Sequence, residues 1–255
     1  MSFRTFLKHF RYKARFSALG SFPYFGVKTY FPRNSLVFAL ACEQGIYEAQ
    51  NMRLMLSALR PDSTAFDIGS NIGLMSIPLL SHEPSPHNHT ALQRTVQESQ
   101  FESRWEVATL AVSDHEGEAD FHCAAPALGA FDGLVDTGRG GKTTTIRVPL
   151  RTLDGLWEER RRPDVSLIKI DVEGSELAVL QGAVTCLKTT RPVVLVEWTQ
   201  ENLKSFNCAA ETLLSFAEEH ECDVFAMPTL VQIASSAHLR SLMQFDESFV
   251  LLPKS

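Results

Sequence analysis

The stretch from Leu167 to Ala183, LIKIDVEGSELAVLQGA, limits what the rest of the chain can be. Leu167, Ile168 and Ile170 make a short apolar run of the kind a parallel strand covered on both faces requires. Asp171, Glu173 and Glu176 follow at once, with Gly174 among them to permit a tight turn. Leu177, Val179, Leu180, Ala183, Val184 and Leu187 then recur at helical spacing. In open α/β sheets, ligands bind just beyond the carboxyl ends of the strands, so three acids there mark a candidate site. Helix capping is the competing account of Glu173 and Glu176, because acids stabilise the positive end of a helix by roughly 0.3–1 kcal/mol. Asp171 sits at the strand tip, where capping is not its obvious work.

A second strand-to-loop junction lies at Ala65–Gly73, AFDIGSNIG. A strand ends in Asp67 and enters a loop with glycines at 69 and 73, which let the backbone approach a ligand closely. Leu74, Ile77 and Leu80 are expected to begin a helix. The spacing is neither the dinucleotide pattern nor a phosphate-binding P-loop, which disfavours an NAD-dependent oxidoreductase. A cradle for an amino-acid end fits better, with Asp67 holding an ammonium group. An acid at the tip of the next strand, here Glu83, would suit a ribose diol.

Charge divides the chain. Residues 1–42 hold seven Lys/Arg and no acid, whereas the remainder carries 17 bases against 30 acids. The body therefore attracts no nucleic acid by its overall charge. Residues 1–33 are rich in aromatics, and Phe3, Phe6, Leu7 and Phe10 follow helical spacing among Arg4, Lys8 and Arg11. A helix packed on the core, peripheral contact with a membrane or anionic carrier, and an organelle-targeting segment are the three readings of this arm. No apolar run is long enough to span a bilayer, and no secretory leader is evident. Cys42, Cys123, Cys186, Cys208 and Cys222 are widely spaced and odd in number, which points to a reducing, cytoplasmic setting.

The rest alternates strands with helices. Trp105–Val112 reads as a third strand, Glu118–Cys123 as a return strand and Thr144–Leu150 as an edge strand that tolerates Pro149. Gln50–Leu59 reads as a helix with Met52, Met55, Leu56 and Leu59 on one side. Ala124–Lys142 is a long loop of the kind that is more often functional than idle. Pro192–Trp198 is a buried strand ending in Glu197, and Ser248–Leu252 a last strand. This order predicts a doubly wound α/β fold. The simplest division is a basic aromatic arm or cap over residues 1–43, helical or extended, and one domain over residues 44–255. His82, His87 and His89 do not share a helical face, so no metal site is expected from them. A hard cation on Asp171 and Glu197 is the alternative.

DIGSNIG, AVSDHEGEADF, VPLRTLD, LIKIDVEGSELAVLQGA, VVLVEW and FVLLP occur in that order. Together they resemble the FkbM family of S-adenosylmethionine-dependent methyltransferases over about residues 45–253. The resemblance implies a seven-stranded Rossmann-like sheet with an antiparallel last strand. It implies S-adenosylmethionine as cofactor, with Asp67, Gly69, Ser70, Asn71 and Gly73 at its methionine end. Glu83 would stand at the ribose, and Val112 and Ser113 at the adenine. Asp171 would lie where the chemistry occurs, as base or as the group that orients a hydroxyl, with Glu173 next. Lys169 is expected to pair with a nearby acid. The expected acceptor is a hydroxyl on a sugar, glycolipid or other small molecule.

One departure stands out. In such folds the ribose acid follows the glycine loop by roughly 20 residues. Here Gly73 and Glu83 are only ten apart. Either the first helix and second strand are abbreviated, or the chain is a non-catalytic binding form of the fold.

Overall fold

The computed structural model describes residues 13–76, 80–82 and 85–254, with the side chains of 80–82 left aside. The expected helix through Phe3, Phe6, Leu7 and Phe10, together with Ile77 and Glu83, lies outside the described residues.

The centre of the molecule is the strand pair predicted above. Strand β3 (Thr64–Ile68) lies parallel to β9 (Val165–Ile170), and every residue of β9 is buried. Strand β10 (Val193–Glu197) continues on one side of β9. On the other side, β4 (Leu80–His82) and β5 (Val107–Ala108) follow β3, all parallel. Strand β13 (Ser248–Pro253) runs antiparallel between β10 and β11 (Cys222–Ala226). The sheet order is β5-β4-β3-β9-β10-β13-β11, and the two-residue β12 (Val231–Gln232) adds a short edge beside β11. This is the expected seven-stranded pattern with its last strand antiparallel, extended by one stub.

Alternation along the strands builds two cores. Phe66, Ile68, Ile168, Ile170, Val194 and Val196 face one side, against Leu153, Trp157, Val179, Leu180, Leu213 and Leu239 from four helices. Ala65, Leu167, Leu195 and Val250 face the other, against Met52 and Met55 of the helix Ala49–Ala58. Each large aliphatic or Phe side chain among them contributes about 1.5–3 kcal/mol by leaving water. Leu56, expected on the same side as the methionines, is instead half exposed, at 50%.

The segment after the glycine loop does not form the expected helix. Residues 71–76 are turns, and Leu80 already belongs to β4. Only Gly69 to Leu79 join two parallel strands, near the minimum of a dozen or so residues that a crossover usually needs. With no length for a helix, Ile72 and Leu74 pack instead against Phe22, Tyr24, Phe31, Val37 and Phe38. Phe22 and Tyr24 come from β1 (Ser21–Tyr24), which forms a hairpin with β2 (Val27–Tyr30); Phe31 lies just past β2, and Val37 and Phe38 belong to the helix Leu36–Gln44. Phe31 stacks on Phe38 with ring centroids 3.8 Å apart. The described part of the arm is thus a helical stretch at 13–19 followed by a hairpin and a helix, the latter two laid against the glycine loop.

Two strand expectations need correction. Trp105–Val112 is not one strand: β5 ends at Ala108, and β6 (Ala111–Val112) joins a separate sheet with β7 (Gly117–Cys123) and β8 (Thr144–Arg151). Nor is β8 an edge strand, since it lies between β6 and β7. Pro149 is tolerated because β6 reaches only Leu150 and Arg151, which leaves that side of Pro149 unpaired. No helix of the described residues is long and apolar enough to cross a membrane.

Candidate active site

The tips of β3 and β9 are tied together before any ligand is considered. Asp171 N donates to Ile68 O at 3.0 Å, which carries the strand pairing one residue past β9. Lys169, fully enclosed, donates to Gly69 O at 2.9 Å and pairs with Asp171 Oδ2 at 3.0 Å and Asp67 Oδ1 at 3.3 Å. Burial alone would lower the Lys169 pKa, but the charges of Asp171, Asp67 and Glu48 outweigh it and raise the value. Lys169 is therefore a permanent cation clamped among acids, as its parity with Asp171 implied.

Gly69 fits this clamp for a steric reason. Its φ is +80°, and a Cβ there would lie 1.6 Å from Asp171 O. The loop after β9 is equally constrained. Glu176 is buried and accepts from Val172 N at 3.1 Å and Gly174 N at 3.0 Å. Burial pushes its carboxyl up to about 7, with those N–H groups pulling the other way. It organises the loop from beneath. Glu173 takes φ 58° and turns into the cavity, where Arg139 Nη1 reaches its Oε2 at 2.9 Å. Arg139 also donates to Asn202 Oδ1 at 2.8 Å and lies 4.6 Å over the Phe131 ring.

These groups line one side of a cavity of about 290 Å³. Gly69, Ser70 and Asn71 line another side, and Ala111 and Val112 a far end. The loop at 124–142 supplies Gly129–Asp132, Leu134 and Arg139, which gives its length a purpose. Tyr47 and Glu48 close the cavity from the arm side.

Carboxyl groups of Asp171, Glu173 and Glu197 converge, with one oxygen of each within 4.8 Å of the others. Burial and the Asp171 charge push Glu173 up to about 8, against the pull of Arg139. Burial and the charges of Asp171 and Glu173 push Glu197 well above the carboxylate range, while its Oε2 accepts from Asn202 Nδ2 at 3.0 Å. Like charges this close favour shared protons or a hard cation. Chemically the cluster can accept a proton, orient a hydroxyl or hold such a cation.

Residues 67–244 match the Methyltransferase FkbM domain. The chain belongs to the FkbM methyltransferase family. The hexuronic acid methyltransferase AglP of Haloferax volcanii is 27% identical over 158 residues, 58% of this chain and 61% of that protein. This chain therefore spans less than two thirds of that relative. An FkbM methyltransferase from Methylobacillus flagellatus KT is 16% identical, with a TM-score of 0.48 over 86% of this chain and 53% of that one. The geranyl diphosphate C-methyltransferase of Streptomyces coelicolor A3(2), solved with Mg2+, geranyl-S-thiolodiphosphate and S-adenosyl-L-homocysteine, is 11% identical. Its TM-score is 0.44 over 85% of this chain and 78% of that one.

Within this FkbM chain, the expected cofactor residues divide. Gly69, Ser70, Asn71 and Val112 line the cavity together with Asp171 and Glu173. Ser70 is buried, and its Oγ has no hydrogen-bond partner among the described residues. A hydroxyl left this way beside an open, positive-φ loop fits the polar end of a bound ligand. Asp67 does not line the cavity. It is wholly buried, accepts from Ser76 Oγ and faces the Lys169 ammonium, so in this structure it braces the loop. Gly73 also lies away from it: a Cβ there would meet Leu92 at 2.4 Å, so this glycine serves packing against the helix Pro86–Gln97. Ser113 points to Asp114 Oδ1 at 3.2 Å, and its carbonyl packs on Gly182. Glu83 lies outside the described residues.

Sequence reasoning missed Tyr47, Glu48, Phe131 and Arg139. Their signal was weak: Tyr47, Glu48 and Arg139 sit in turns or loops, and Phe131 ends a short 3-10 helix (Pro126–Phe131), with positions that depend on distant partners. Burial, with Glu48 and Asp171 nearby, raises the Tyr47 hydroxyl, and burial with the Asp171 charge raises Glu48.

Proposed function

We propose that this chain is an S-adenosylmethionine-dependent O-methyltransferase acting on a hydroxyl of a sugar, glycolipid or other small molecule. One observation carries the reading: Asp171, held by Lys169, shares a single cavity with Gly69, Ser70 and Asn71. Ser70 and the loop backbone would hold the amino-acid end of the cofactor, and Val112 would pack on its adenine. The bound cofactor supplies an electrophilic methyl on sulfur. As an acceptor hydroxyl took that methyl and displaced the thioether, Asp171 would orient the hydroxyl and accept its proton. Positioning in such an in-line displacement supplies about 7–11 kcal/mol, and a placed base about 10²–10⁴-fold in rate. The sugar preference draws support from the family and from the hexuronic acid relative.

The test is Asp171→Asn with calorimetric and turnover readouts. Turnover should fall by about 10²–10⁴-fold while S-adenosylmethionine still binds. Full turnover in that variant removes Asp171 from the chemistry.

The shortened crossover favours a second reading, a methyltransferase fold that binds without turnover. The three-residue β4 and the turns at 71–76 are its basis. Titration with S-adenosylmethionine separates the two. Micromolar binding supports the enzyme, and none at millimolar concentration supports the binding form.

A further inference from the structure

A second cavity, of about 330 Å³, lies across the acidic wall from the first. The two share Glu48, Lys169, Asp171, Glu197 and Glu247, so they meet at Asp171. Asp246 and Phe245 complete the rim. Phe245 is 81% exposed, the most exposed of the large apolar side chains described. Its exposure is built in. The backbone N–H groups of Phe245 and Asp246 both donate to Leu242 O at 2.9 Å, at the end of the helix Ser236–Leu242. Leu239 and Met243 of the same segment are buried in the core. Packing on one side thus fixes an aromatic ring at the cavity mouth on the other.

The lining charge is one-sided. Besides Glu197, which burial and its acidic neighbours hold well above the carboxylate range, four carboxyl groups, Glu48, Asp171, Asp246 and Glu247, face one cation, Lys169, whose ammonium is already engaged by Asp67, Asp171 and Gly69 O. Carboxyl groups accept hydrogen bonds from hydroxyl or ammonium donors, whereas an entering carboxylate would meet like charge. An exposed aromatic face suits the C–H face of a ring, with its negative quadrupole toward the positive hydrogens.

We infer that this second cavity takes the acceptor, and that the acceptor is a polyhydroxyl ring bearing no carboxylate, neutral or amino-substituted, stacked on Phe245. The inference rests on the methyl-transfer reading, narrows its acceptor, and departs from the hexuronic acid named for the relative. Glu48, Asp246 and Glu247 are then specificity residues that repel acidic sugars.

Calorimetric titration of methyl glucoside, methyl glucosaminide and methyl glucuronide tests it, with and without S-adenosylhomocysteine. The first two should bind at least about tenfold more tightly than the glucuronide. Phe245→Ala should weaken the glucoside by about tenfold and leave S-adenosylhomocysteine affinity unchanged. Asp246→Lys with Glu247→Lys should close the gap to the glucuronide. Equal or tighter glucuronide binding by the wild type overturns the inference. So does absence of glycoside binding, or an unaltered Phe245→Ala. Failure of S-adenosylhomocysteine to bind counts against the methyl-transfer reading alone, because the ranking without it still decides the acceptor.

Discussion

Gly69 shows how one residue can have two constraints that look like one. Its place in DIGSNIG reads as a position where a ligand approaches the backbone. The structure adds a nearer neighbour, the carbonyl of Asp171, into which any Cβ would drive. Gly69→Ala also needs a φ of +80°, and strain of that kind costs roughly 1–3 kcal/mol before the clash is counted. The variant should lose at least that much stability in urea denaturation and shift the β9 tip. An unchanged midpoint would show that the two tips can separate freely. Asp67 teaches the reverse lesson. Its residue type and position suggest direct contact with a ligand, but complete burial makes it a partner of Ser76 and Lys169.

Among the elements, β9 and the loop that follows it carry the site, and the glycine loop is attached to them. Lys169 makes that attachment. Removing it strands Asp67 and Asp171 as unpaired carboxylates, one of them wholly buried. Breaking a buried pair from one side costs about 3–5 kcal/mol, so Lys169→Met should lower the urea midpoint by that equivalent. S-adenosylmethionine affinity should fall with it, because Gly69 loses the donor on its carbonyl. A variant as stable as the parent would mean that the acids find other partners. The crossover from β3 to β4 is the contrasting element. It has too few residues for a helix, and Phe22 and Tyr24 of β1, Phe31 just past β2, and Phe38 of the helix Leu36–Gln44 cover Ile72 and Leu74 instead. Helix periodicity at Leu74, Ile77 and Leu80 was present in the sequence, but a strand needed Leu80, and pairing with β3 won.

Across the whole molecule, the buried acids make stability depend on pH in a definite direction. Glu173 and Glu176 have native values of about 8 and about 7, above the ordinary carboxylate range. Between that range and those values the native protein holds protons that the unfolded chain has lost. Stability therefore falls as pH rises through this window. Denaturant midpoints from about pH 5 to about pH 9 should show the decline, and Glu173→Gln should remove its upper part. A midpoint that rises with pH in this interval would contradict the burial of these carboxyls. The core that buries them was legible from the sequence. Phe66, Ile68, Leu167, Ile168, Ile170 and the run Val193–Val196 are apolar because a sheet covered on both faces excludes water from both. Strand period and glycine placement are local properties, so β3, β9, β10, β13 and the motif loops could be read directly. What tertiary structure alone decided was which side chains meet. Arg139 reaches Glu173 from a loop far away in sequence, Glu197 joins Asp171 across adjacent strands, and Gly73 turns toward Leu92 and not the cavity. Such meetings depend on how far each connection can reach and on what fills the space it leaves, and no local pattern records either.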